Sequence, residues 1–170
     1  QPNIIVCRSE LPIPDDMKQK ISLFCSAREE DIIENLTVSS LYEAPIMLEN
    51  EGLAKSVCHH LKLKNYETPP MEKWHQMLDC MAAASEDVLV GIVGKYTELP
   101  DAYISITESI MHGGIPNGAK VKVGLVNSED VTRENAKELL GEFDAIVVPG
   151  GFGSRGIQGK IDTIEYAREN

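Results

Sequence analysis

The sequence has 170 residues, 42% of them hydrophobic, with 27 acidic side chains against 16 Lys and Arg and a formal net charge of −11. That charge excludes general binding to nucleic acid or to an anionic membrane but leaves room for one local phosphate site. No apolar run approaches the roughly 20 residues of a membrane span, and the chain opens on no basic-then-apolar leader.

The four cysteines, Cys7, Cys25, Cys58 and Cys80, have no paired spacing. They predict reduced, buried thiols in a cytoplasmic protein. His59-His60 beside Cys58 is too little for a metal-ligand set, so no metal site is assigned. The chain starts at Gln1 without a methionine and runs at once into an extended stretch, so the expectation is a piece of something longer.

Residues 3–6 (NIIV) predict a short buried strand followed by Cys7-Arg8-Ser9. Pro14 and the acidic pair Asp15-Asp16 start a helix that carries Lys20. Residues 31–36 predict a second strand. Residues 38–49 predict a helix that Pro45 interrupts, and residues 51–63 another. Residues 65–70 (NYETPP) read as a stiff connection. Trp74, Met77, Leu78 and Met81 then recur at helical spacing in residues 71–84, a packing stripe.

From residue 87 the pattern is regular. Residues 88–93 (VLVGIV) predict a buried strand and residues 99–111 a helix begun by Pro100 and ended by Gly113-Gly114. Residues 120–126 predict a strand, 131–140 a helix, 145–148 a fully buried strand and 158–170 the start of a helix. The alternation predicts an α/β architecture: parallel, Rossmann-like sheets in two incomplete domains joined by an interdomain segment. The expected divisions are residues 1–64, a linker and helix over 65–86, and residues 87–170.

The stretch that organises the second half is AIVVPGGFGSRG, residues 145–156. Pro149 ends the strand, and Gly150, Gly151, Gly153 and Gly156 follow. Open α/β sheets bind ligands at the carboxyl ends of their strands. Backbone N–H groups exposed there can hold an anion or a developing oxyanion. A residue with a Cβ at Gly151 is expected to strain the turn or to block the approach of a substrate oxygen. Gly151-x-Gly153-x-x-Gly156 also satisfies the dinucleotide-binding pattern, but that fingerprint belongs after a first strand and this loop follows a third. The earlier loop, residues 94–103, offers Lys95 and Asp101. A solvated loop lysine and a first-turn charge are equally good readings of these two.

VGKYTELPDAYISITES and DAIVVPGGFGSRGIQGKI closely resemble the glutaminase domain of the CTP synthase family, a class I glutamine amidotransferase. CRSELPIPDDMKQKISLFCS and SSLYEAPIMLENEG resemble the end of that family's synthetase domain. The resemblance follows the family's order over nearly the whole chain and is weakest at residues 58–86.

What the resemblance implies can be placed on this sequence. Gly150 and Gly151, with Phe152 and Gly153, match the oxyanion-hole segment, with the Gly151 N–H as the best candidate donor. Phe152, Gly153 and Arg155 fall in the region of the glutamine pocket and the adjoining GTP activator. Arg8 and Val38 match positions near the ATP adenine, and Lys20 matches a lysine at the site shared by UTP and the feedback inhibitor CTP. The implied reaction is ATP-dependent amination of UTP to CTP, with Mg²⁺ on the nucleotides and ammonia taken from glutamine, in a homotetramer. The nucleophilic cysteine is expected beyond residue 170 in a G-x-C-x-G elbow, and the synthetase phosphate loop before residue 1, so these residues alone should be inactive. Two rival readings remain at this point: a dinucleotide- or flavin-binding enzyme using the glycine loop, and an α/β domain that keeps the fold without chemistry.

Overall fold

A computed structural model describes residues 1–64 and 66–170, together with the backbone but not the side chain of Pro100. Asn65, the first residue of the expected stiff connection, lies outside the described residues. The chain divides into two compact units, Gln1–Leu78 and Asp79–Asn170. The architecture is α/β, with every strand pairing parallel.

The first unit has two strands, β1 (Ile5–Ser9) and β2 (Ile32–Leu36), paired from Ile5↔Ile32 to Ser9↔Leu36. β1 begins two residues later than the apolar run implies and includes Arg8. It alternates between half-buried and exposed residues rather than being buried throughout, because β2 is the better covered of the pair. Helices α1 (Asp15–Cys25) and α2 (Ala44–Asn50) pack against β2. Pro45 does not interrupt α2 but lies in its first turn, where the missing N–H has no helical partner to lose. Helix α3 (Leu53–His60) is entered through Gly52 at φ 81°. Glycine adopts that left-handed conformation without steric cost.

Helix α4 (Glu72–Ala83) carries the expected stripe: Trp74, Met77, Leu78 and Met81 are half-buried while their neighbours are exposed. The Trp74 indole N–H donates to the Tyr42 carbonyl at 2.6 Å. Cys80 lies on the exposed side of α4, and Cys7, Cys25 and Cys58 are half-buried, so none of the four thiols is the fully buried core residue expected.

The second unit is built on β3 (Glu86–Gly94), β4 (Ala119–Asn127) and β5 (Ala145–Val147), in the order β4-β3-β5. β3 is central, and its stretch Val90–Gly94 is buried, as an apolar run flanked by two parallel neighbours should be. β5 pairs with β3 along one edge only, so Ile146 and Val147 are half-buried and Ala145 is exposed; the strand is not fully buried. Gly91 and Gly124 face each other in register, and the ring of Phe143 rests on both. A Cβ on Gly91 would lie 2.9 Å from that ring, and one on Gly124 2.6 Å. Val93, Val131, Ala136 and Leu140 form the buried core beside it.

Helix α5 (Ile104–Gly114) follows a 3-10 turn at Pro100–Tyr103. Gly113 and Gly114 are inside α5, and the chain leaves it through a second 3-10 turn to Gly118 at φ 68°. Gly114 is needed for contact, since a Cβ there would press on Val121 at 2.5 Å. Helix α6 is only Ala136–Leu140. The residues before it form a turn closed by Asn135, which accepts the Thr132 N–H at 2.8 Å and donates to the Asp130 carbonyl at 2.8 Å. That local side-chain bonding competes with helix. Helix α7 (Ile157–Glu169) ends the chain and packs on α6 and β3. Among the described residues no helix is long and apolar enough to cross a membrane.

Candidate functional site

The carboxyl ends of β3, β4 and β5 bring together the loop after β3, Ser128 and the glycine loop. The hydroxyl of Tyr103, which is 3% exposed, accepts the backbone N–H groups of Lys95 at 3.0 Å and Tyr96 at 3.2 Å. Gly94 has no room for a Cβ against the same phenol. Lys95 is not the solvated loop lysine that its neighbours imply. It is 6% exposed, and its ammonium donates to the carbonyls of Phe152 and, at 3.4 Å, Arg155.

From the other side, Lys160 on α7 donates to the Pro149 carbonyl at 2.7 Å. Burial, and secondarily the charge on Lys95, push the Lys160 pKa below the ordinary lysine value. Gly151 lies between the two lysines: a Cβ there would meet Lys95 Cε at 2.9 Å and Lys160 Nζ at 3.4 Å. Positive φ occurs instead at Gly153 (76°) and Gly156 (68°). A Cβ at Gly151 would therefore displace the end of the Lys95 side chain, and no turn strain at Gly151 itself demands glycine. Gly150 has open space around it. Among the described residues no backbone carbonyl accepts from the N–H groups of Gly150, Gly151, Phe152 or Gly153.

The rest of the loop is anchored from below. Arg155 donates from one terminal nitrogen to the Lys95 carbonyl at 3.0 Å and pairs through the other with Glu129 at 2.7 Å. The Ser128 N–H donates to the Gly94 carbonyl at 2.7 Å. Its hydroxyl is buried against Gly156 with no partner among the described residues, and its carbonyl lies against Gly159. Phe152 is 93% exposed at the tip. Asp101 is an exposed first-turn residue of the 3-10 turn, which fits the charge-compensation reading.

The nucleotide candidates lie in the first unit. Arg8 donates to the Leu36 carbonyl at 2.7 Å, and the Thr37 N–H extends the ladder to the Ser9 carbonyl at 3.0 Å. Arg8 and Val38 thus lie at the same carboxyl edge of the β1–β2 pair. Val38 also lines a cleft of about 440 Å³ with Ile46, Met47, His75 and Leu78. Lys20 is exposed on α1 and pairs with Asp16 one turn earlier at 3.3 Å.

Beneath these, Asp31 is completely buried. It takes a two-pronged pair from Arg28 (2.7 and 3.0 Å), the Ser56 hydroxyl at 2.6 Å and His60 Nε2 at 3.0 Å. These partners, Arg28 foremost, hold its carboxyl well below the usual range. Among the described residues no group of three or more His, Cys, Asp or Glu could hold a metal ion.

Lys160, Ser128 and the inward role of Tyr103 have no signature in the sequence. Tyr103 is part of the PDAY run, but nothing in the run distinguishes a buried phenol from an exposed one.

Residues 1–63 match the family model described as CTP synthase N-terminus, and residues 98–170 match that of Glutamine amidotransferase class-I. Both matched segments are similar to CTP synthases. It is 49% identical over its whole length to the CTP synthase of Clostridium kluyveri, and covers 32% of that protein. The CTP synthases of Clostridium acetobutylicum and Bacillus subtilis are each 48% identical over the same 170 residues and the same 32%. The chain thus spans about a third of the length of the curated relatives it matches. The dinucleotide reading and the non-catalytic reading are not favoured, because both segments match and the relatives matched are CTP synthases.

Proposed function

We propose that these residues serve a CTP synthase of the cytoplasm, which aminates UTP to CTP with ATP and with ammonia released from glutamine. Mg²⁺ would accompany the nucleotides in such a protein, and GTP and CTP would activate and inhibit it. Its assembly would be a homotetramer.

In this reading the loop at residues 149–153 is the oxyanion-binding wall of the glutaminase. The observation that carries it is the group of N–H donors at Gly150–Gly153 with no backbone acceptor, at the carboxyl end of β5. Attack on the glutamine amide places negative charge on its oxygen, and preorganised N–H groups stabilise that charge more than the ground-state carbonyl. The exposed Phe152 and the Arg155 that anchors the loop border the same space and would line the glutamine and GTP side.

On the synthetase side, Arg8 and Val38 border the adenine. Lys20 offers a compact, mobile charge to a pyrimidine triphosphate, a role its weak surface pair with Asp16 leaves open. The test is CTP formation by the full-length protein that carries this chain, given UTP and ATP with either glutamine or ammonia. Formation with both nitrogen donors is expected. Formation with neither would overturn the reading.

A further inference from the structure

We propose that Lys95 and Lys160 are positioning residues that clamp the glycine loop with its N–H groups turned outward. This rests on the glutaminase reading above and names what holds its donors in place.

A trans peptide is planar, so its C=O and N–H point in opposite directions, and no peptide among the described residues is cis. Lys160 holds the Pro149 carbonyl at 2.7 Å, which turns the Gly150 N–H away from α7. Lys95 holds the Phe152 carbonyl, which turns the Gly153 N–H away from β3 in the same way. The peptides between them carry the N–H groups of Gly151 and Phe152 and are fixed at both ends. Lys95 is itself fixed. Its side chain is buried, its N–H is held by Tyr103 and its carbonyl by Arg155.

Bringing two ammonium groups to either side of one glycine is unfavourable by charge repulsion. The same arrangement puts positive potential beneath the point where an oxyanion would form. A loop with four glycines has little conformational preference of its own, so removing either cation should let it sample other states. A misplacement of about 1 Å can cost roughly 100-fold in rate.

The experiment compares Lys160→Met, Lys160→Arg and Lys95→Met in the full-length protein with Gly151→Ala. Each is assayed with glutamine and with free ammonia. Lys160→Met and Lys95→Met are expected to lower the glutamine-dependent kcat roughly 100-fold. The KM for glutamine should stay within about twofold, the signature of an interaction made only in the transition state. Ammonia-dependent synthesis should be unchanged, and Lys160→Arg, which keeps a cation and its donors, should recover most of the rate. Unchanged glutamine-dependent turnover in the methionine variants, with Gly151→Ala impaired, would overturn the clamp and leave the glutaminase reading standing. Unchanged turnover in all three, Gly151→Ala included, would overturn the reading itself. Equal loss with both nitrogen donors would show a purely structural role and overturn the clamp. If Lys95→Met fails to fold, the Lys160 pair decides the question alone.

Discussion

The hydroxyl oxygen of Tyr103 accepts the backbone N–H of Lys95 at 3.0 Å. One phenol thereby fixes the point where β3 turns into its loop and from which the Lys95 side chain departs toward the glycine loop. Tyr103→Phe leaves the N–H groups of Lys95 and Tyr96 without that acceptor. An unsatisfied buried donor costs about 1–3 kcal/mol. Thermal unfolding of the Tyr103→Phe chain, followed by circular dichroism, should therefore show a loss of about that size. An unchanged midpoint would mean that water or a shifted loop replaces the hydroxyl.

Much of this arrangement is legible in the sequence, for reasons that differ between residues. The run VLVGIV identifies β3, because burial between two parallel neighbours demands continuous apolar residues, and the alternation around Val121, Val123 and Leu125 identifies β4, an edge strand whose first residues alternate between half-buried and exposed. Pro45 and Asn135 mislead, because the meaning of each depends on its place. Proline is a breaker inside a helix and a starter in its first turn. Gly114 is the last residue of α5, as its position predicts, and its closeness to Val121 is a second constraint that the sequence does not show. Asn135 spends both ends of its amide on a turn. The glycine loop is visible from composition alone. Its two lysines are not, because a lysine that satisfies carbonyls 11 or 57 residues away leaves no local pattern.

Asp31 makes the first unit sensitive to acid. A carboxylate whose pKa is depressed on folding contributes stability above its unfolded value, about 3.9. It loses that contribution as the pH falls toward the depressed value. Glu34, held low chiefly by its 2.6 Å pair with Lys18, acts in the same direction. The single tryptophan, Trp74, lies in this unit, so its fluorescence reports urea unfolding there. The urea midpoint should fall steeply below about pH 4. Asp31→Asn should cost about 1.5–3 kcal/mol at pH 7, the value of a hydrogen bond to a charged group, and should flatten the acid limb. An Asp31→Asn chain with the same steep acid limb would remove Asp31 as its source.

Lys20 separates a nucleotide role from a structural one. Its exposed pair with Asp16 is worth only about 0.3–0.5 kcal/mol. Lys20→Ala should therefore leave the Trp74-monitored midpoint nearly unchanged. In the full-length protein the same substitution should raise the UTP concentration needed for half-maximal rate and relax inhibition by CTP. Unchanged responses to both nucleotides would place Lys20 outside the site.

In the proposed function the N–H groups around Gly151 serve glutamine hydrolysis alone. The most direct measurement is the ratio of glutamine-dependent to ammonia-dependent CTP formation in the Gly151→Ala full-length protein. The added methyl would meet Lys95 Cε at 2.9 Å and displace the ammonium that holds the Phe152 carbonyl. Loss of one oxyanion donor costs roughly 100–1,000-fold. The ratio should therefore fall by about that factor while the ammonia-dependent rate is retained. A ratio equal to that of the unaltered protein, whether both rates persist or both fall together, would remove the glycine loop from glutamine hydrolysis.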